Sequence, residues 1–289
     1  MAFFNVFLRT LGFLVGIATF IILLNIFLSL LPNNKEAFNF VKGDKNSQNI
    51  IASLNLNGPI MNSSNHSFPG TIFDYIDPNN IEKYLKTLET INPKVLIIKL
   101  NSPGGTVVAS ANLEKIISKF KKQSRTKVYF YTNEILASGG YWVATSGDKI
   151  YANYGSIIGS IGVSGPSWYY FEKPTSISTG ILGQKIETKN GIQIFNQNAG
   201  NFKDLYNPFR KPTKKELDHL QNIVGDIYND FLVKVAKSRS IEKETLKNKI
   251  GALIYSGDQA KDNFLIDDVL EYNELVEKII KEEKFEDYK

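Results

Sequence analysis

The chain has 289 residues, 43% hydrophobic and 22% charged, with a formal net charge of +5, and its lysines are scattered among acids rather than gathered into a stripe. That balance fits a globular protein with enough chain for one large domain or two small ones, and it argues against nucleic acid as a partner. With no cysteine and only two histidines, His66 and His219, disulfides, thiol nucleophiles and His-rich or thiolate metal sites drop out, and neither a metal nor a cofactor is expected.

Residues Thr10 to Asn34 carry no charge, and the apolar run Leu11–Leu31 is about as long as a bilayer-spanning helix requires. Ser29-Leu30-Leu31-Pro32 is a poor match to a small-residue cleavage site, so the pattern predicts an uncleaved transmembrane anchor over 10–32. Arg9 precedes the run while Lys35, Lys42 and Lys45 follow it. A bare positive-inside count puts the C-terminal side in the cytoplasm, but that rule is weak ahead of a long domain, and orientation stays open on this ground.

Residues 33–49 read as a polar linker and 50–272 as the main domain, with a charged helix over 273–289. Ile50–Leu56 predicts a first strand, 57–79 a loop rich in Gly, Pro, Asn and Ser, and Asn80–Ile91 a helix. Val95–Leu100 is nearly continuous in apolar residues, as a strand buried on both faces of a parallel sheet would be. It empties into Asn101-Ser102-Pro103-Gly104-Gly105, and a helix follows with Val107, Leu113, Ile116, Ile117 and Phe120 on one side. The theme repeats: strand 128–131, then Ala137-Ser138-Gly139-Gly140, then a helix; strand Lys149–Ala152, then the glycine-rich stretch Gly155–Val163. Alternating strands and helices joined by glycine turns define an α/β domain with its loops along one edge.

Residues 164–200 are less regular, with Tyr169–Phe171 and Ile192–Phe195 as candidate strands. Thr213-Lys214-Lys215-Glu216 is a capping box opening a long helix, whose core face should carry Leu217, Leu220, Ile223, Val224, Ile227, Phe231 and Val235. Shorter helices are expected near 241–249 and 256–262.

Ser138 stands where a strand gives way to a helix, a place that presents a hydroxyl as a nucleophile. It lacks the Gly-x-Ser-x-Gly elbow of α/β-hydrolases, since position 136 is leucine. The Pro103-Gly104-Gly105 turn can expose backbone N–H groups with no side chain in the way, as an oxyanion hole needs, and no Gly-Lys-Ser/Thr follows to make it a phosphate loop. A histidine base would have to be His66, in a polar loop, or His219, within an amphipathic helix. The chemical alternative is a lysine, which accepts a proton only if its pKa falls from about 10.4 towards about 7, a cost of roughly 4 kcal/mol supplied by burial. Composition does not single out which lysine.

Asn101–Gly105, Ala137–Trp142, Gly159–Val163, Lys203-Asp204 with Asn207-Pro208-Phe209-Arg210, and Tyr255–Ala260 with Leu265-Ile266-Asp267 together resemble the bacterial signal peptide peptidase A (protease IV) family. The similarity covers about residues 50–272, in the short form with one N-terminal span. It implies a Clp protease/crotonase-like α/β fold and a Ser-Lys dyad. In that pattern Ser138 is the nucleophile, Lys203 the general base, Ser160 the hydroxyl that positions the lysine amine, and Gly105, with Gly104 beside it, the oxyanion hole. The Ser138–Lys203 interval is longer than in the short members, with the extra residues in 172–198, and the glycine usual after Leu265–Asp268 is absent.

The resemblance further implies a serine endopeptidase of the bacterial cytoplasmic membrane, its catalytic domain extracytoplasmic, bound to lipid through its single span. Its substrates would be remnant signal peptides and other hydrophobic peptides, and it would work as a homo-oligomer. Val107 and Ile161–Val163 are candidates to line its substrate pockets. The alternatives are a crotonase-like acyl-thioester enzyme and a catalytically silent membrane-tethered scaffold.

Overall fold

The computed structural model describes residues 2–30, 38–62, 75–179, 184–195 and 197–289, which fall into two units, Met1–Lys42 and Gly43–Lys289. His66 lies outside the described residues.

The first unit is built on α1 (Ala2–Leu30), in which Phe4–Asn25 has a mean hydropathy of 2.3. It is the one helix among the described residues long and apolar enough to cross a membrane. Its few polar groups turn inward on the backbone: Thr10, Thr19 and Asn25 donate to the carbonyls of Val6, Val15 and Ile21, four residues earlier. A helix in lipid must satisfy its polar groups within itself in this way.

In the second unit the strands β1 (Ile51–Asn57) and β2 (Val95–Asn101) flank α2 (Pro78–Ile91), and α3 (Val107–Ser124) leads to β3 (Lys127–Thr132). The short β4 (Ile135–Ala137) and α4 (Gly139–Ala144) come next, then β5 (Lys149–Ala152) and β6 (Ile157–Gly159). A hairpin of β7 (Ser176–Thr179) and β8 (Gln184–Glu187) precedes the long α5 (Lys214–Arg239). The chain ends with α6 (Lys243–Thr245) running into a π-helical turn at Leu246–Ile250, β9 (Ile254–Ser256), α7 (Gly257–Asp262), β10 (Asp268–Val269) and α8 (Tyr272–Glu283).

The main sheet has the order β1-β2-β3-β5-β10, every pairing parallel. The unbroken apolar run of β2 is explained by its burial on both faces. Leu96, Ile98 and Leu100 join the larger core with α2, α3 and α4, while Val95 and Ile97 pack with Leu275 and Ile279 of α8. A second, smaller sheet, β4-β6-β9, pairs β4 with β6 in parallel and β9 antiparallel to β6. The α/β reading therefore holds, and the small sheet is what carries the serine turns.

Four details differ from the sequence pattern. Tyr169–Phe171 and Ile192–Phe195 are not strands; single hydrogen bonds, Phe171 N to Pro208 O and Ile192 N to Pro174 O, replace a ladder, and the hairpin lies between them. Their aromatic and β-branched content has no neighbouring strand to pair with, which is what β-propensity depends on. The N-terminal half of α5 runs past the core, leaving Leu217 and Ile223 exposed at 47% and 45%, while Phe231, Leu232 and Val235 are buried. Val107, on the apolar side of α3, is 37% exposed and lines a cavity, as the pocket reading expected. Finally, the compact unit begins before residue 50. Ser47 Oγ donates to Asp287 Oδ1, Asp44 N to Tyr288 O and Ile51 N to Lys289 O, so the two ends of the domain are stitched together. α8 stops at Glu283, where Lys284 adopts a left-handed conformation at its C-cap.

Candidate active site

Ser138 bridges the end of β4 and the start of α4 with φ 51° and ψ −124°, outside the region an L-residue prefers. Such a conformation costs about 1–3 kcal/mol and persists only where the surroundings enforce it. Here they do. Ser138 N donates to Gly159 O, Ala137 N to Ser102 O and Trp142 N to Ser138 O, all within 3.0 Å. Beyond the turn, every residue of α4 is buried, Tyr141 Oη donates to Leu265 O at 2.6 Å, and Trp142 packs on Phe231 at 4.9 Å. The hydroxyl is left free, because the Ser138 side chain makes no cap bond to α4.

The Pro103-Gly104-Gly105 turn lies directly against this elbow. Gly104 has φ +108°, and a Cβ there would meet the Ser138 Cβ at 2.8 Å and its Oγ at 3.1 Å. A Cβ on Gly105 would fall 1.9 Å from the Ile60 carbonyl oxygen. Ile60 N donates to Gly104 O and Thr106 N to Ile60 O, a parallel bridge that turns the N–H of Gly105 itself away from Ile60. Gly105 N lies 3.2 Å from the point where a Cβ of Gly139 would stand. Gly139 is the first residue of α4, so its own N–H has no partner within the helix. Two backbone donors, Gly105 and Gly139, thus lie close together beside the serine turn. Fixed donors of this kind stabilise charge developing on a carbonyl oxygen. The Gly139 amide was not singled out from the sequence, although the residue after a nucleophile at a strand–helix turn is a regular donor.

Ser160 reaches the same cavity by sheet register. Ala137 of β4 pairs with Gly159 of β6, so the residues that follow, Ser138 and Ser160, come side by side. Ser160 has φ +50°, its N–H donates to Leu253 O, and its carbonyl accepts from Gly162 N, each at 2.8 Å. The cavity has a volume of about 280 Å³ and is lined by Gly105, Val107, Ser138, Gly139, Ser160, Val163 and Phe231, among others. Of the residues proposed for substrate pockets, Val107, Gly162 and Val163 line it, and Ile161 is in the core at 1% exposure.

Lys203 is not on the wall of this cavity. It sits exposed in a turn, its N–H donating to Gly200 O at 3.3 Å. The adjacent segment is firmly held. Arg210 spans Asp204 and Glu216, with Nε–Asp204 Oδ2 and Nη2–Glu216 Oε1 both at 2.6 Å, and its guanidinium lies 5.3 Å from the Trp168 ring. Hydrogen bonding to Arg210, helped by the Thr213 N–H, holds the Glu216 carboxyl at about 2, and Asp204 is lowered chiefly by Arg210. Glu216 also completes the Thr213 capping box, so this cluster fixes the turn beside Lys203 to the start of α5. His219 is exposed on α5, and no cluster of potential metal ligands occurs among the described residues.

Ser138 thus stands unbonded in a strained turn of an α/β domain, with the Gly105 and Gly139 amides close by. Residues 120–286, more than half of the chain, match peptidase family S49. The chain belongs to that family, whose members are serine-type peptidases.

Among relatives, a protein of Enterococcus faecium named for signal peptide peptidase SppA is 28% identical over 94% of this chain and 81% of its own length. A protease by name from Methanocaldococcus jannaschii is 36% identical over 61% of this chain and 52% of its own, and Protease 4 of Haemophilus influenzae 26% over 87% and 37%. The chain thus spans most of the first relative, about half of the second and about a third of the third. A serine-to-alanine variant of the 1510-N membrane-bound stomatin-specific protease superposes with a TM-score of 0.45 and 19% identity, covering 80% of this chain and 85% of that one.

Proposed function

We propose that this chain is a membrane-anchored serine endopeptidase working through a Ser138–Lys203 dyad. The observation that carries the reading is the Ser138 elbow, its hydroxyl unbonded beside the N–H groups of Gly105 and Gly139. Ser138 Oγ attacks the peptide carbonyl and its proton passes to the Lys203 amine, while the two amides hold the oxyanion. Lys203 then protonates the leaving amine, and water releases the acyl group from Ser138. Ser160, in register with Ser138, holds the incoming amine. Gly104 keeps the space beside the hydroxyl open.

Lys203 acts once its turn folds onto the cavity. Neighbouring copies of the chain supply the force: exposed Leu217 and Ile223 on α5, with Tyr169, Phe171, Phe195 and Phe202 of the preceding segment, are apolar surface that self-association would cover. The apolar helix α1 holds the enzyme in the bacterial cytoplasmic membrane with the catalytic domain outside the cytoplasm. It thereby concentrates the enzyme where hydrophobic peptides partition. The name of the Enterococcus relative supports a peptidase acting on signal peptides, and that of the Haemophilus relative a protease.

The test is cleavage of a signal-like peptide by the detergent-solubilised full chain and by its Ser138→Ala and Lys203→Ala variants. Loss in both supports the dyad; cleavage by both at the wild-type rate refutes it. Acyl-thioester turnover without peptide cleavage would move the serine to crotonase-type chemistry, and protease accessibility in intact cells tests the orientation.

A further inference from the structure

Along β2, Val95 and Ile97 pack against Leu275 and Ile279 of α8, and strand alternation puts Lys99 in the same row. The lysine therefore opens on the face of the main sheet opposite α4 and its serine turn. There, at the carboxyl ends of the parallel strands, lies a second, open cavity of about 410 Å³, lined by Lys99, Tyr131, Asn133, Asn153, Glu271 and Tyr272, among others. It shares no lining residue with the cavity at Ser138. The carboxyl edge of an open parallel sheet is where such folds bind ligands.

The cavity presents donors. The Lys99 amine lies 3.2 Å from the centre of the Tyr272 ring and forms no ion pair among the described residues. Burial pushes it below its ordinary value, and no neighbouring carboxylate holds it up. Tyr131 is 3% exposed and its ring meets that of Tyr272 at 5.5 Å, yet its hydroxyl has no hydrogen-bond partner among the described residues. Neighbours orient the two asparagines. Asn101 Oδ1 accepts from Thr132 Oγ1, Asn133 N and Glu134 N, so Asn101 Nδ2 donates to Asn133 Oδ1, at 2.7 Å. Asn153 Oδ1 accepts from Tyr154 N at 2.9 Å. With both oxygens engaged, the unbonded ends of Asn133 and Asn153 are their NH2 groups.

We propose that this cavity binds an α-carboxylate, that of a peptide's C-terminus or of a free amino acid, with Lys99 as its counter-ion and Tyr131, Asn133 and Asn153 as hydrogen-bond donors. A cation surrounded by donors calls for an anion, and hydrogen bonds to an ionised acceptor are the strong ones. The volume is of the size that takes a small organic ligand, and the two tyrosine rings supply an apolar wall for the rest of it. Glu271, the N-cap residue of α8, stands on the same lining and offsets the charge of Lys99. That balance suits a single negative charge and opposes a phosphate dianion. The site stands apart from the Ser138 chemistry and does not depend on it, although peptide cleavage releases carboxylates of this kind.

The test is calorimetric titration of the detergent-solubilised full chain carrying Ser138→Ala, so that nucleophilic cleavage of the probe is disabled. The probes are N-acetyl-dialanine, its C-terminal amide, free alanine and inorganic phosphate. The acetylated dipeptide or alanine should bind about tenfold or more tightly than the amide. Lys99→Met should weaken the carboxylate by about tenfold and Tyr131→Phe by several-fold, each leaving the amide unchanged. Tighter binding of the dipeptide assigns the site to peptide ends, and tighter binding of alanine to amino acids; both uphold the carboxylate. Acid and amide binding equally, no binding of either acid, phosphate binding tightest, or an affinity that Lys99→Met leaves unchanged overturns the proposal. Where Lys99→Met fails to fold, Tyr131→Phe, which removes only a hydroxyl, decides by the same comparison. Cleavage by the wild-type chain tests the peptidase reading separately, so failure of one does not imply failure of the other.

Discussion

Ser138 and Lys203 are held in opposite ways. Ser138 is fixed through its backbone, its N–H donating to Gly159 O of β6 and its carbonyl accepting from Trp142 N, with a fully buried helix behind it. Lys203 lies in an exposed turn whose main restraint is the charged cluster of Arg210, Asp204 and Glu216, next to it in sequence but not on its own side chain. The half of the site that must hold strain is built into the core. The half that must deliver a proton is carried on a surface segment that can change position without disturbing that core.

The comparison breaks first at the serine. Ser138→Ala should lower peptide cleavage by about 10⁵-fold or more while leaving the thermal midpoint near wild type, because the Cβ and the backbone bonds remain. Lys203→Ala should cost about 10²–10⁴-fold in kcat, again with no loss of thermal stability, since an exposed side chain makes no packing contribution. A clear drop in the melting temperature of Lys203→Ala would show that the two halves are not so differently held. Gly105→Ala separates structure from chemistry from the other direction. With its Cβ 1.9 Å from the Ile60 carbonyl, the turn has to move, and chemical denaturation should report a loss of about 3 kcal/mol or more.

The smallest effect concerns the cluster beside Lys203. The Glu216 carboxyl is held at about 2, below its ordinary value near 4.5, mainly by Arg210. A depressed carboxyl gives stability that is fully present above the ordinary value and is lost as pH falls through about 4.5 towards about 2. Trypsin cleavage after Lys203 should therefore stay slow at neutral pH in the wild type. In Arg210→Gln it should become several-fold faster, with the α5 core intact. In Glu216→Gln, acid unfolding should be less steep across that window.

Much of the scaffold could be read directly. β2 announced itself as a doubly buried strand through Val95–Leu100, and Thr213–Glu216 announced the start of α5 through its capping box. Ser138 and the Gly104-Gly105 turn were recognisable because a strand-to-helix change and paired glycines are local signals. The poverty in histidine directed attention to lysine before any fold was known. Other features carried no local signal. The exposure of Leu217 and Ile223 depends on where the core ends beneath α5, not on the helix's own periodicity. Lys99 and Tyr131, which share the second cavity, look in sequence like ordinary strand residues.

The amino-acid sequence alone determined the apolar N-terminal helix, the alternation of strands and helices and the serine turn, because each of these is written in neighbouring residues. Only the tertiary structure decided that Ser160 stands beside Ser138, that Gly105 and Gly139 come together at the serine turn, and that Lys203 lies away from them on a tethered turn. Those relations join segments far apart in the chain, and they follow from strand register and packing rather than from any local preference.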